Sequence, residues 1–199
     1  MAYRSLAALQ RDNARCRRCL EAGYPIGSWP VFEGRAGQRA YLFGLAPGIV
    51  EGGERRPWRG RAGRTLRGWL HLDETAFYET FYCASLTRCF PGRAASGRGD
   101  RTATAAERAL CAEWAEWELK LLEPRLIVTV GRAAAQAFVG VRSLTDAVGK
   151  SYLRGDAIVV PLPHPSGASG WLNDRTNRAR LGKALVHARR ELARLGEEP

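Results

Sequence analysis

The sequence has little lysine and no long hydrophobic run. Of its 31 basic residues, only Lys120, Lys150 and Lys183 are lysines, so arginine carries nearly all of the positive charge. No apolar stretch approaches the roughly 20 residues that a membrane-spanning helix needs. The mixed polar N-terminus lacks the apolar core of a signal peptide. We therefore expect a protein of the bacterial or archaeal cytosol, without membrane association.

The charge of the chain is strongly one-sided. The formal net charge is +11 at pH 7, and the isoelectric point is about 10.1. Such an excess favours a polyanionic partner, and arginine makes bidentate contacts with phosphate that lysine cannot make. A GC-rich genome would also raise the content of arginine, alanine and glycine, so charge alone leaves that explanation open. The charge favours a nucleic-acid-binding protein associated with the nucleoid.

Length and hydrophobic patterning predict one α/β domain. A chain of 199 residues can build a single sizeable core. Apolar runs alternate with segments of helical spacing, which is typical of a parallel sheet with helices on both faces. Thr104 followed by Glu107 is a capping box that predicts the start of one helix. We expect a single domain over residues 1–199, a four-stranded parallel sheet flanked by helices on both faces, with strands at 39–44, within 77–87, 126–130 and 157–162, and helices at 3–20, around 66–70, 104–122, 133–138 and 177–195.

Four of the five cysteines form two separated pairs. Cys16 and Cys19 make a Cys-x-x-Cys pair near the N-terminus, and Cys89 and Cys111 flank a polar loop. In a reducing cytosol, metal ligation is favoured over disulfides, and zinc and iron–sulfur centres both accept four cysteines. The spacing predicts a metal centre that ties an N-terminal segment to the distant loop, with an iron–sulfur cluster favoured over zinc. Cys83 lies in an apolar run and is expected to be buried and inert.

A glycine- and proline-rich motif follows the first predicted strand. Glycine lets a backbone approach a ligand closely, and exposed amides there can bind carbonyl groups. Further along the chain, Trp58 in an Arg-Pro-Trp sequence offers a flat surface on which a base could stack. A turn of this kind is common by itself, so its meaning depends on the other motifs. The motif consists of Gly44, Leu45, Ala46, Pro47 and Gly48.

A second motif, His164-Pro165-Ser166, follows the last predicted strand. A histidine held between two prolines is rigidly placed and could donate a hydrogen bond to negative charge on a leaving group. Ligands of parallel sheets bind outside the carboxyl ends of the strands, so we expect His164 and the 44–48 motif to meet at one edge. His71 and His187 lie on predicted helices without polar surroundings and are expected to be structural.

The order of these features resembles the uracil-DNA glycosylase superfamily, and within it the iron–sulfur branch formed by families 4 and 5. In that branch the first motif reads Gly-x-Ala-Pro-Gly or Gly-x-Ala-Pro-Ala, and the second reads His-Pro-Ser or close to it. The spacing from Gly44 through Arg-Pro-Trp to residues 60–63 is similar to family 4, and so is the basic Arg88 just before Cys89. The resemblance covers roughly residues 6–195, and four matching cysteines make it specific.

This resemblance implies a DNA glycosylase of base excision repair, which flips a damaged base out of DNA and hydrolyses its N-glycosidic bond. Uracil is the expected base, and hypoxanthine and xanthine are further candidates. The enzyme is expected to act as a monomer. The implied cofactor is a structural [4Fe–4S] cluster bound by Cys16, Cys19, Cys89 and Cys111.

The resemblance also implies roles for individual residues. His164 would stabilise the departing base, and the backbone of Leu45 and Ala46 would complete the catalytic centre. Trp58 would stack on the base, and the loop from Gly167 to Trp171 would enter the minor groove. The implied base-binding residues are Gly44, Pro47, Gly48, Trp58 and Ser85, and the implied DNA-binding residues are Arg59, Arg61, Ser166, Gly167, Ser169 and Trp171.

Two departures from the family pattern concern catalysis. Family 4 has a glutamate at the second position of the first motif, where this chain has Leu45, as family 5 does. The stretch 84–87 also lacks the asparagine that reads the uracil edge in several families. Glu51 and Glu54 are therefore the candidates that could position the attacking water.

Two alternatives to a glycosylase remain at the level of sequence. A DNA-binding or damage-sensing iron–sulfur protein with little catalysis would share the charge and the cysteines, but its pocket would be filled. A zinc-bound nucleic-acid module would use the same four cysteines with a different metal.

Overall fold

The computed structural model describes residues 2–97, 99–166 and 170–197. Gly167 and Ser169, two of the predicted DNA-binding residues, lie outside the described residues. The strands are β1 (Ala40–Gly44), β2 (Phe81–Ser85), β3 (Leu126–Val130), β4 (Tyr152–Arg154) and β5 (Ala157–Leu162). The helices are α1 (Leu6–Ala14), α2 (Arg18–Glu21), α3 (Ile49–Glu54), α4 (Arg61–Leu70), α5 (Glu74–Thr80), α6 (Ala105–Leu122), α7 (Arg132–Val139), α8 (Leu144–Ala147) and α9 (Arg175–Glu197), with a 3-10 turn at Trp171–Asn173.

The sheet has five strands in the order β2-β1-β3-β5-β4. β1, β2, β3 and β5 run parallel, and β4 pairs antiparallel with β5. The prediction of an α/β fold with a mainly parallel sheet is confirmed, but the predicted number of four strands is wrong. β4 has only three residues and is mostly exposed, so it has no apolar run that would signal a strand. It turns back through Gly155, whose φ of 58° suits glycine.

Burial of the central strands explains why their sequences are mostly apolar. Every residue of β1, β2 and β3 is buried, because helices cover both faces of a parallel sheet. Side chains alternate between the faces, so Leu42 packs in one core cluster with Leu66 and Phe77. Its neighbour Tyr41 packs in the other cluster with Trp114.

The predicted helices are mostly present with shifted ends. The capping box of α6 is confirmed: Thr104 Oγ1 accepts from the Glu107 N–H at 3.2 Å, and Glu107 accepts from the Thr104 N–H at 2.7 Å. The single helix predicted at 3–20 is instead α1 and α2, separated near Cys16. Among the described residues, no helix is long and apolar enough to cross a membrane.

A buried ion pair joins β1, β2 and α6. The Arg88 guanidinium donates to Glu118 of α6 at 2.6 Å, and both side chains are almost fully buried. The hydroxyls of Tyr41 and Tyr82 donate to the same carboxylate at 2.5 and 3.2 Å. Arg88 also donates to the carbonyl oxygen of Ser85. The segment that follows β2 is therefore attached to α6 through the core.

Candidate active site

A cavity of about 390 Å³ lies at the carboxyl ends of the parallel strands. It brings together the two motifs that the sequence analysis singled out, since Gly44 to Gly48 and His164 both line it. Trp58 and Ser85 line it as well. All the residues predicted to bind the base therefore surround one space, and its volume is in the range of small-ligand sites.

Trp58 is held in a strained backbone conformation beside the cavity. Its φ is 59°, in the left-handed region that non-glycine residues rarely adopt. Arg67 donates to the Trp58 carbonyl oxygen at 3.0 Å, and the Tyr78 hydroxyl donates to the Pro57 carbonyl oxygen at 2.5 Å. A Cβ atom on Gly63 would lie 1.7 Å from the Trp58 carbonyl oxygen, so only glycine fits there. These contacts fix the direction of the indole.

The indole of Trp58 and the imidazole of His164 face the same cavity. Their ring centroids are 6.4 Å apart and their planes are inclined by 37°. A Cβ atom on Gly44 would lie 3.1 Å from the Trp58 ring. Because glycine has no Cβ atom, the indole can pack directly against the end of β1. The arrangement offers an aromatic wall on one side and a hydrogen-bond donor on the other.

The surroundings of His164 favour its neutral form. The Ser166 N–H donates to His164 Nδ1 at 3.3 Å, and the Ser166 hydroxyl lies 2.8 Å from the same nitrogen. An accepting Nδ1 assigns the proton to Nε2. Burial lowers the pKa of His164 below its ordinary value of 6.5, and the negative charge of Glu51 partly offsets this. At neutral pH the imidazole is therefore an uncharged donor through Nε2.

Glu51 connects the two loops that border the cavity. One carboxylate oxygen accepts from the Gly60 N–H at 2.8 Å, and the other accepts from the Gly48 N–H at 3.2 Å. Its carboxylate lines the cavity and acts electrostatically on His164. Glu54, the other candidate from sequence, forms an ion pair with Arg59 at 2.6 Å and does not line the cavity. Of the two carboxylates, only Glu51 can meet a ligand there.

Uncharged polar atoms also line the cavity: the backbone N–H groups of Leu45 and Ala46 and the hydroxyl of Ser85. Leu45 and Ala46 line the cavity, and their backbone N–H groups donate to no other described residue. They are available to a water or to a ligand carbonyl. The Ser85 hydroxyl donates to the Thr87 carbonyl oxygen at 2.7 Å, so its own oxygen can still accept a hydrogen bond from a base N–H.

The predicted DNA-binding residues are placed less uniformly. Arg61 is exposed at the cavity mouth and Ser166 lines the cavity. Arg59 is ion-paired with Glu54 and Glu74 and does not line the cavity. Trp171 packs against the core, and its indole N–H donates to the Thr145 hydroxyl at 2.9 Å. Contact of these residues with DNA stays a prediction.

The cysteines separate into a group of four and one isolated thiol. Burial, then the neighbouring thiols of Cys111 and Cys16, raise the pKa of Cys19 to about 12. Burial and the other three thiols also raise the pKa of Cys89 to about 12. The pKa of Cys83 is raised by burial and then by Glu33, with no contribution from another cysteine. Cys16, Cys19, Cys89 and Cys111 are therefore neighbours in space.

The thiol of Cys111 also has a hydrogen-bond donor. Burial raises its pKa, and a hydrogen bond from the Arg88 backbone N–H counteracts this. The Nε atom of Arg88 is buried without a hydrogen-bond partner among the described residues. In the described part of the chain, no group of three or more His, Cys, Asp or Glu side chains is arranged to hold a single metal ion.

Sequence reasoning missed several residues that shape the site. Tyr78 and Arg67 hold the Trp58 loop. Arg67 lies in a predicted helix and Tyr78 in a segment that was predicted to contain a strand, and neither was predicted to belong to the site. Asp100 lines the cavity from the polar loop before α6, where no apolar anchor signalled a fixed position. A Cβ atom on Gly48 would lie 3.3 Å from the Asp100 carboxylate and 2.8 Å from that of Glu51, so glycine lets both approach.

The fold and the cavity define an α/β protein with a small-ligand site at the end of its sheet. A family model described as the uracil DNA glycosylase superfamily matches residues 31–187. The chain therefore belongs to the uracil DNA glycosylase superfamily.

Two relatives are similar along most of their length. A type-4 uracil-DNA glycosylase from Thermotoga maritima is 30% identical over 154 residues, covering 75% of this chain and 74% of the relative. A type-4 uracil-DNA glycosylase from Sulfurisphaera tokodaii is 24% identical over 173 residues, covering 82% of this chain and 76% of the relative.

The electrostatic coupling of His164 to Glu51 can be measured by titration. We expect the C2 proton of His164, assigned with a His164→Gln variant, to titrate in NMR spectra with a midpoint below 6.5. Glu51→Gln should lower that midpoint further, because the carboxylate favours the imidazolium. Glu54→Gln is the matched control and should leave it in place. A midpoint above 6.5, or a midpoint that is the same in Glu51→Gln as in the wild type, would contradict the described geometry.

Proposed function

We propose that this protein excises uracil from DNA by hydrolysing the N-glycosidic bond, in base excision repair. The observation that carries the proposal is the cavity in which Trp58 and His164 face each other at the end of the sheet. Membership of the superfamily and the type-4 uracil-DNA glycosylase relatives support uracil as the base. The open cavity favours an enzyme over a damage-sensing protein with a filled pocket. Such an enzyme would work as a monomer on uracil-containing DNA in the cytosol.

The proposed reaction begins with a base that has been flipped out of the helix. Uracil stacks against Trp58, and the Ser85 oxygen accepts from its N3–H. As the bond between C1′ of the sugar and N1 of uracil breaks, the electron pair moves onto the base and spreads to its carbonyl oxygens. His164 donates through Nε2–H to one of these oxygens, and the free N–H groups of Leu45 and Ala46 are further donors. A preorganised donor of this kind stabilises the transition state without reorganisation.

Water then completes the hydrolysis by adding its oxygen to C1′, while its proton passes to the Glu51 carboxylate and finally to the departing uracil anion. Leu45 offers no polar side chain for this step, so we assign the positioning of the water to Glu51. Its two oxygens use one lone pair each on the N–H groups of Gly60 and Gly48, which leaves acceptor capacity for a water. Its negative charge also favours the positive charge that develops on the sugar.

We propose that Cys16, Cys19, Cys89 and Cys111 hold an iron–sulfur cluster. Cys19, Cys89 and Cys111 are buried, burial raises the pKa of each, and Cys16 lies beside them. Such thiols cannot all be thiolates unless positive charge lies among them. A cluster spreads that charge over several irons, so its ligands need not converge on one point as they do around a single ion. The Arg88 N–H beside Cys111 is the kind of donor that hydrogen-bonds to cluster sulfur. When bound, the cluster would be structural and would tie the N-terminal segment to α6.

The direct test of the proposed function is the release of the base. Purified protein is incubated with labelled oligonucleotides that carry uracil, hypoxanthine, xanthine or thymine, and abasic sites are then cleaved with alkali. We expect cleavage at uracil and none at thymine. Protein that binds these oligonucleotides but leaves uracil in place would support the damage-sensing alternative instead.

Removing the donor at His164 should slow the chemical step. His164→Ala should lower the single-turnover rate of uracil release by about 10²–10³-fold, while its melting temperature and its affinity for abasic DNA stay close to those of the wild type. His187→Ala, on the exposed side of α9, is the control and should behave as wild type. Release within a few-fold of wild type by folded His164→Ala would make the histidine structural.

The role of Glu51 has a matched pair of variants. Glu51→Gln keeps the size of the side chain and should lower the single-turnover rate by about 10²-fold or more, the low end for a lost acid–base group. Glu54→Gln changes a residue of the same helix and should keep the single-turnover rate of the wild type. Equal rates for the two variants would remove Glu51 from the water-positioning role.

The cysteine assignment is tested by spectroscopy. Cys89→Ser should lose the brown colour and the absorbance near 400 nm that an iron–sulfur protein shows, together with much of the fold. Cys83→Ser should keep both, because Cys83 stands apart from the other thiols. Full iron content in Cys89→Ser would overturn the ligand set, and bound zinc in place of iron in the wild type would favour the zinc alternative.

A further inference from the structure

Trp29 is an exposed tryptophan with the guanidinium groups of two arginines close to its ring. Its side chain is 45% exposed although its ring is large and apolar. The guanidinium of Arg17 lies 4.1 Å from the ring centroid, and that of Arg55 lies 5.9 Å from it. Both distances are within the range of cation–π attraction. We call the three residues Arg17, Trp29 and Arg55 the Trp29 clamp.

The two arginines of the clamp differ from their neighbours in having no acidic partner. No carboxylate of the described residues lies within 4.0 Å of either guanidinium, whereas Arg18 pairs with Glu113 at 2.8 Å. Similarly, Arg56 pairs with Glu33 at 2.7 Å. The clamp therefore holds two positive charges against a rigid ring, neither of them paired with a carboxylate, and the charge of Arg17 also acts on the Cys89 thiol. A guanidinium has a planar fork of donors that matches the oxygens of a phosphate.

The clamp lies next to the candidate active site. Gly52 of α3 packs on the segment before Trp29, since a Cβ atom on it would lie 3.1 Å from the Cβ atom of Ser28. The first two residues of α3, Ile49 and Val50, are exposed and line the cavity, and Arg55 follows its last residue. A helix of six residues is about 9 Å long. The clamp is thus about one short helix away from the cavity.

We propose that the Trp29 clamp binds backbone phosphates of the DNA strand beside the flipped nucleotide, through the guanidinium groups of Arg17 and Arg55. The identity of the ligand rests on the proposed function, and the net charge of +11 fits a polyanion. Phosphate is favoured over a stacked base because Arg17 already covers one face of the indole. Since Arg17 stands between Cys16 and Cys19, the cysteine-binding segment then takes part in holding DNA.

The test measures the affinity for DNA as a function of salt. Fluorescence anisotropy follows binding of a duplex that carries a stable abasic analogue, so no excision is needed. Each lost phosphate contact lowers the slope of log affinity against log salt by about 0.9, which corresponds to about eightfold weaker binding at 0.1 M salt. We expect this change for Arg55→Gln and for Arg17→Gln. Trp29→Ala should weaken binding similarly, and Trp29→Phe should restore most of it.

Arg154→Gln is the matched control. Arg154 also lies over an aromatic ring, 4.6 Å from the centroid of Phe138. It is the last residue of β4 and pairs with Ala157, at the end of β5 that is far from the cavity. It should keep the wild-type slope. Melting temperature and absorbance near 400 nm identify any variant that has lost its fold or its cluster. This control matters most for Arg17→Gln, because Arg17 lies between two of the proposed cluster ligands. Arg55 lies outside that segment, so the result for Arg55→Gln does not depend on the result for Arg17→Gln.

The outcomes separate the clamp from the proposed function. A wild-type slope and affinity in folded Arg55→Gln and Trp29→Ala would overturn the clamp, even if the wild type releases uracil. A wild type that fails to release uracil while these variants still lose slope would overturn the proposed function and leave the clamp as a DNA-backbone site. An equal loss in Arg154→Gln would show only the effect of total charge and would also overturn the clamp.

Discussion

The buried ion pair between Arg88 and Glu118 connects the wall of the cavity with the group of four cysteines. Arg88 lies between Ser85, which borders the cavity, and Cys89, which belongs to the group of four thiols. Glu118 lies on α6, the helix that also carries Cys111. Removing one partner of a fully buried pair typically costs about 3–5 kcal/mol, because the other charge stays buried. Since that is a large part of a domain's stability, the cavity wall and the cysteine group cannot move independently.

The cavity itself is organised by backbone groups more than by catalytic side chains. Glu51 holds the N–H groups of Gly48 and Gly60, so the loop after β1 and the loop after Trp58 keep a fixed distance. Arg67, Tyr78 and Gly63 hold Trp58 in a conformation that costs of order 1–3 kcal/mol. Such strain is common at functional sites, and here it directs an indole into a cavity that also contains a neutral histidine. The chemistry proposed for the site needs no other ionised side chain than Glu51.

Much of this arrangement could be predicted from the sequence, and the exceptions have physical causes. The parallel strands were predictable because each is mostly apolar, and α6 was predictable because Thr104 and Glu107 form a capping box. The meeting of the 44–48 motif with His164 followed from their positions at strand ends. β4 could not be predicted, because three exposed residues carry no hydrophobic period. Neither could the Trp29 clamp, since it joins residues far apart in sequence through a cation–π contact that leaves no local pattern.

The central claim is that a uracil base enters the cavity and lies against Trp58. The most direct measurement is the ¹⁹F NMR spectrum of a duplex with one 5-fluorouracil nucleotide on a carbocyclic sugar, which resists hydrolysis. With saturating protein, the fluorine resonance should move away from its position in the free duplex, because the base leaves the stack and enters the ring-current field of the indole. That shift should shrink in Trp58→Ala. A resonance that keeps its free-duplex position while the DNA is fully bound would contradict the account.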